Sequence, residues 1–115
     1  MELLENIEGD ELKTLHVSLS GRMTFNDHKE MRRITRFVVD ARIHEVIFDL
    51  SSLDLIDSAA IGMLLIVSAE LQNIGGSARL ENAKGQVERI LKVAKVHELI
   101  SYSRPKPHEP ASVDL

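Results

Sequence analysis

The sequence predicts an α/β domain: a mixed sheet of four to five strands with helices packed against it. Three observations predict it. The apolar run Val46-Ile47-Phe48-Asp49-Leu50 has the character of a central strand. After a short loop, Asp57-Ser58 precedes an apolar stretch from Ala59 to Ala69 that is too long for a strand. Strand-like and helix-like patterns then alternate, which implies parallel pairing through right-handed crossovers.

The elements follow in order. A weak strand falls around Leu3 to Ile7, with Gly9-Asp10 as the turn after it. Leu12, Leu15, Val17 and Leu19 alternate with polar residues, so Leu12 to Leu19 reads as a strand that Ser20-Gly21 ends. Asn26 or Asp27 then serves as an N-cap. The helix behind it carries Met31, Ile34, Phe37, Val38 and Ala41 at helical spacing. Lys29, Arg32, Arg33 and Arg36 fall on its other faces, which reads first as a solvated basic side. Glu45 to Leu50 reads as a strand buried on both faces. Ser58 to Asn73 reads as a helix apolar on most sides, stopped by Gly75-Gly76. Ala78 to Asn82 gives a short strand, Gln86 to Val96 a third helix, and Leu99 to Tyr102 a last short strand. All three prolines lie within residues 104–110, a stretch with almost no apolar side chain. The expected division is therefore a domain over 1–103 and a flexible tail over 104–115.

The totals narrow the function classes. A chain of 115 residues with 43% apolar residues suits one packed domain. A net charge of −4 offers no general attraction to nucleic acid or to an anionic membrane. The absence of cysteine excludes disulfides and cysteine-ligated metal. Met1-Glu2-Leu3-Leu4-Glu5 lacks the basic start and apolar core of a signal peptide. The stretch Ala59 to Ala69 is too short to span a bilayer and contains Gly62 and Ser68. A soluble cytoplasmic protein, without membrane attachment, is the expectation.

The chemistry concentrates at Asp57-Ser58. A hydroxyl there sits at a helix N-terminus, where free N–H groups and the helix dipole favour negative charge. Such a position suits a serine that is switched by phosphate, although a serine that merely satisfies helix N–H groups would look the same. Asp57 can act as an N-cap, as a partner for a basic group on another protein, or as both. Enzyme classes find little support. Ser58 lacks a Gly-x-Ser-x-Gly elbow and has no histidine near it in sequence. His16, His28, His44, His97 and His108 make no His-Glu-x-x-His pattern, and no phosphate-binding Gly-x-x-x-x-Gly-Lys loop occurs. Neither a cofactor nor a metal is expected. Direct nucleic-acid binding would rest on Lys29, Arg32, Arg33 and Arg36 alone, with one Tyr, three Phe and no Trp for stacking.

Three stretches together carry a family resemblance: Ser20-Gly21-Arg22-Met23, then Val46-Ile47-Phe48-Asp49-Leu50, then Ile56-Asp57-Ser58-Ala59-Ala60-Ile61-Gly62-Met63-Leu64. In this order they resemble the STAS domain of anti-sigma factor antagonists, over roughly residues 5 to 103. The resemblance implies a binding module of a bacterial partner-switching pathway, not an enzyme. It implies that the unmodified domain binds a GHKL-type serine kinase that doubles as an anti-sigma factor. It further implies that this kinase phosphorylates Ser58, and that a PP2C-type phosphatase, carried in some relatives on a response regulator, removes the phosphate. The partner face would comprise Asp54, Asp57, Ser58, Ala59, Ile61, Gly62 and Met63, with Thr24 on the neighbouring loop. Asp49, Asp54 and Asp57 would surround the phosphate with negative charge if they share one rim. Met63 is the apolar residue expected to stay exposed. The protein would be a monomer or weak dimer.

Three departures stand out. Ser58-Ala59-Ala60 keeps only one of the hydroxyls common after the Asp. Thr24 stands where an acidic residue is frequent. The chain closes on a proline-rich stretch where many members carry another helix. The alternative that the resemblance allows is a constitutive structural subunit of a transporter or stressosome-like complex, with no phosphoswitch.

Overall fold

In the computed structural model, which describes residues 1–103, the strands lie in the sheet in chain order. β1 (Glu2–Glu8) and β2 (Thr14–Met23) form an antiparallel hairpin. β3 (Glu45–Ile56), β4 (Ser77–Glu81) and β5 (Ser101–Ser103) then add one after another in parallel. The crossovers are made by α1 (His28–Asp40), α2 (Ser58–Asn73) and α3 (Gly85–Val93). A parallel sheet that grows in one direction only, through right-handed crossovers, collects its helices on one face. This is the mixed-sheet α/β domain expected, with five strands. The proline-rich stretch from Arg104 onward lies outside the described residues.

The helix-covered face carries Leu15, Val17, Leu19, Val46, Phe48, Ala78 and Leu80, all buried. On the opposite face Arg79 bridges Glu45 at 3.4 Å and Glu81 at 2.8 Å, and His16 meets Glu8 at 2.9 Å. On this open face β3 is buried only at Ile47, without a second helical layer, and Glu45 and Asp49 are half-buried. Ile47 stands between His16 and Arg79 in the register and is only 8% exposed. The aliphatic stem of Arg79 can cover it while the guanidinium stays wet. At the hairpin edge, Arg33 of α1 bonds Glu5 of β1 and lies 3.3 Å from Glu30. The bond to Glu5, then the one to Glu30, raises the guanidinium above its ordinary value and ties α1 to the edge strand.

Several boundaries differ from expectation, each for a local reason. Ser20-Gly21 does not end β2. The register slips between Ser18 and Ser20 and again between Gly21 and Arg22, and Gly21 takes a φ of 82°. At each slip β3 supplies the extra residue, a bulge on β3, and β2 runs on to Met23. The extended β2 gives β3 a partner beyond Leu50, so β3 continues to Ile56 although β4 pairs with it only as far as Asp49. Before α1 the chain makes a 3-10 turn, Phe25–Asp27, and Thr24 caps it. The Thr24 hydroxyl accepts the Asn26 N–H at 3.2 Å, and the Asp27 carboxylate accepts the Thr24 N–H at 2.9 Å. Asp27 stands at the N-cap position of α1 but gives it no side-chain bond. α3 stops at Val93 rather than Val96, and Lys95 turns left-handed (φ 54°) into a 3-10 turn, Val96–Glu98, that buries Val96.

α2 has the bounds that the sequence predicts. Its end is a Schellman motif: Gly75 N–H reaches the Gln72 carbonyl at 3.2 Å and Gly76 N–H the Leu71 carbonyl at 2.8 Å. Gly75 takes the left-handed φ of 83° that this stop requires.

Candidate functional site

α2 begins at the C-terminal edge of the parallel strands, where β3 ends at Ile56. Asp57 turns the chain. Its backbone is extended (φ −105°, ψ 175°) and its Oδ1 accepts the Ala60 N–H at 2.8 Å. This is N-cap geometry. The second carboxylate oxygen accepts the Phe25 N–H at 3.2 Å, so the same side chain also holds the loop that leads into α1. Both oxygens of Asp57 are therefore engaged within the fold.

Ser58 follows as the first helical residue and is exposed. Its hydroxyl has no hydrogen-bond partner among the described residues, so no side chain stands ready as its general base. The group is open to solvent at the positive end of a sixteen-residue helix. Such a hydroxyl can receive a phosphoryl group from another protein and keep it beside helix N–H groups.

The remaining candidate residues divide. Ala59 and Gly62 are half-buried around Ser58, and a Cβ placed on Gly62 would meet nothing within 4 Å. Asp54 is exposed near the end of β3. Ile61, expected on the contact face, is instead 7% exposed and belongs to the core beneath the turn. Met63, expected to be exposed, is half-buried and packs against the core, while Ile66 is an exposed large apolar residue of α2 at 55%. Thr24 is half-buried and occupied as the cap of the 3-10 turn.

Asp49 does not join Asp57. Its Oδ1 accepts the Ser51 N–H at 3.0 Å and the Asn82 amide at 3.2 Å, on the β3–β4 side of the sheet. Burial pushes its carboxyl up, but the bonds from the Ser51 backbone, the Asn82 amide and the Ser51 hydroxyl together outweigh burial and hold it below the usual range.

Sequence reasoning missed Gln86. Past Asp49, β3 has lost β4 as a neighbour, and the Gln86 side chain stands in for a strand. Its Oε1 accepts the Ile56 N–H at 3.2 Å and its Nε2 donates to the Ile56 carbonyl at 3.3 Å. The amide carries the donor and acceptor that a strand would supply. It thereby pins α3 to the residue just before the Asp57 turn. Among the described residues no group of three or more His, Asp or Glu could hold a metal ion.

No curated protein matches the chain in sequence. Solved structures do match in fold. The anti-sigma factor antagonist SpoIIAA from Bacillus, in its unphosphorylated form, is 18% identical over 94% of each chain, with a TM-score of 0.66. An anti-sigma factor antagonist from Mycobacterium paratuberculosis is 17% identical over 91% of this chain and 87% of its own, with a TM-score of 0.71. The murine anion transporter Slc26a9 is 18% identical over 92% of this chain but 20% of its own, with a TM-score of 0.64. The family model described as STAS domain matches residues 4–110. Nearly the whole chain is thus accounted for, and the protein belongs to the STAS domain family.

Proposed function

We propose that this protein is a phosphorylation-controlled binding module of a bacterial partner-switching pathway, with Ser58 as the phosphoacceptor. In this reading it is the substrate of a kinase, not a catalyst. Its unmodified form binds a GHKL-type serine kinase that acts as an anti-sigma factor, and a PP2C-type phosphatase restores that form. The carrying observation is the exposed, unbonded Ser58 hydroxyl at the start of the capped helix α2. The fold likeness to SpoIIAA, whose structures include a phosphorylated form, supports it. Gly62 adds independent support. Glycine inside a helix costs about 0.5–1 kcal/mol against alanine. Nothing in the fold occupies the space of its missing side chain, so the glycine serves no internal packing. One turn beyond Ser58, it leaves room for a partner's close approach.

The switch needs no change of fold. A phosphate adds about −1.5 to −2 charges and three acceptor oxygens. The Asp57 carboxylate stands directly before Ser58, and Asp54 is exposed three residues before the turn. A partner surface fitted to a neutral serine would meet bulk and desolvated charge. A loss of about 3 kcal/mol weakens binding roughly a hundredfold.

The likeness to the STAS segment of Slc26a9 favours one other reading, a constitutive subunit of a larger assembly. Among the described residues no helix is long and apolar enough to cross a membrane. Site-mapped mass spectrometry of the protein from its native cells, beside Ser58→Ala, separates the two. Substoichiometric phosphate on Ser58 that changes with growth condition, with partner capture by the unphosphorylated form only, is expected. Constant capture with no phosphate under any condition would replace the switch with the constitutive reading.

A further inference from the structure

α1 and α2 start at the same edge of the sheet and pack side by side, and an open groove of about 200 Å³ runs between them. Met31 and Thr35 of α1 and Met63 and Ile66 of α2 line it, with His28 and Arg32 at its rim. The volume is below the roughly 300 Å³ at which small-molecule sites begin, and it suits a protruding side chain better than a ligand. Ile66, at 55% exposure, and Phe25, stacked on His28 at 61% exposure, are apolar groups the fold leaves in water.

Charge marks the groove further. The four cations of α1 are treated differently by the fold. Arg33 is spent on Glu5 and Glu30, whereas Lys29, Arg32 and Arg36 make no ion pair among the described residues. Their spacing puts these three on one strip of the helix beside the groove. Asp40 and Glu70 line a neighbouring depression together with Arg32 and Arg36, without forming an ion pair with either among the described residues. A basic strip on a chain of net charge −4 is selective rather than general.

We infer that the α1–α2 groove is a docking surface for an acidic amphipathic helix of a partner protein. Its apolar residues, spaced one turn apart, fill the floor between Met31 and Ile66, and its carboxylates meet Lys29, Arg32 and Arg36. This surface adjoins the face expected around the phosphoacceptor and shares Met63 with it, but it includes neither Ser58 nor its cap.

The test is an amide-shift titration of the isotope-labelled protein. The probe is a synthetic helix carrying leucine at every third and fourth position with glutamates on its flanks. A second peptide, with lysine for each glutamate, is the control. Shifts centred on His28, Met31, Arg32, Thr35, Met63 and Ile66 are expected with the acidic peptide only, at a dissociation constant below about 1 mM. Arg32→Glu with Arg36→Glu should weaken acidic-peptide binding about tenfold, and Ile66→Ser should do so while the charges stay in place. Ser58→Ala should titrate like the unaltered chain, which keeps this result independent of the phosphoswitch. Equal binding of both peptides, or no shift in the groove, overturns the inference. Groove shifts that depend on protein concentration alone would identify the occupant as a second copy and overturn it too.

Discussion

Asp57 and Phe25 lie thirty-two positions apart, yet the Asp57 carboxylate accepts the Phe25 N–H at 3.2 Å while its other oxygen caps α2 at Ala60. One side chain thus fixes two helix approaches relative to each other. It does so directly beside the residue proposed to carry phosphate.

Replacing Asp57 separates these two duties. Asp57→Ala loses both bonds and should cost about 1–2 kcal/mol, read as a lower denaturant midpoint with an unchanged slope. Asp57→Asn keeps one carbonyl oxygen for Ala60 but turns an NH2 group toward the Phe25 N–H. Hydrogen exchange should then quicken at Phe25 and stay slow at Ala60. Equal acceleration at both amides would mean that the cap and the loop are not separable.

Gln86 should be sensitive to a change of one atom type. Gln86→Glu retains an acceptor for the Ile56 N–H but sets a carboxylate oxygen against the Ile56 carbonyl. Leaving that carbonyl opposed and partly buried should cost about 1–3 kcal/mol. Gln86→Ala, which removes both bonds, should cost a similar amount. A near-neutral Gln86→Glu in chemical denaturation would show that water replaces the amide at no cost.

The pair Asp49–Asn82 should make part of the stability acid-sensitive. The Asp49 carboxyl titrates below its ordinary value in the fold, so the unfolded chain binds its proton more readily. Its contribution is present above the unfolded value of about 3.9 and is lost as pH falls through the lower folded value. Asn82→Ala removes one of the bonds, which should raise the Asp49 carboxyl and shrink this acid-dependent part. Carbon-detected titration of Asp49 in both proteins measures the shift, and an unchanged midpoint would assign the lowering to Ser51 alone.

How much could be read from the sequence depended on the range of each interaction. The bounds of α2 were legible because their causes are local: Asp57 before it, Gly75-Gly76 after it. The cap at Thr24 was also legible in principle, since Thr24-Phe25-Asn26-Asp27 has capping-box spacing, yet Asn26 and Asp27 drew the assignment. The last residues of β3 were not legible. Ser51, Ser52 and Asp54 look like a loop, and they are strand because β2 continues past Gly21 and pairs with this segment, with the extra residues of β3 taken up as bulges. Gln86 gives no periodic signal, because a side-chain amide that replaces a strand follows from position in the fold. Ser58 was singled out from its cap and from the family resemblance, but the burial of Ile61 and the openness of Ile66 depend on where α1 lies against α2.

Gly62 offers a test in which stability and binding should move in opposite directions. No atom lies within 4 Å of the position that a Cβ would take, so Gly62→Ala meets no internal clash. It should gain about 0.5–1 kcal/mol from helix propensity, seen as a higher melting temperature. The same methyl would stand where the proposed partner would approach, one turn from Ser58, and should weaken its capture by the unphosphorylated form about tenfold. Gly76→Ala makes the contrast, because its Cβ would lie 2.5 Å from the His44 carbonyl oxygen and should destabilise the fold outright. If Gly62→Ala were more stable and bound as before, the partner would not reach this turn of α2.

Phosphate on Ser58 should leave the fold standing. Negative charge at a helix N-terminus is worth about 0.3–1 kcal/mol, and repulsion from Asp57 offsets part of it. Ser58→Ala and Ser58→Asp should therefore both melt within about 0.5 kcal/mol of the unaltered chain, since the serine hydroxyl makes no bond that either would break. Amide shifts caused by stoichiometric phosphorylation should be confined to the α2 start and to the Phe25 loop that shares Asp57. Partner affinity should fall about a hundredfold in the same sample. Loss of stability on phosphorylation, with shifts spread across the sheet, would mean that the modification acts by loosening the domain. The local clash of charge at an intact rim would then no longer account for the switch.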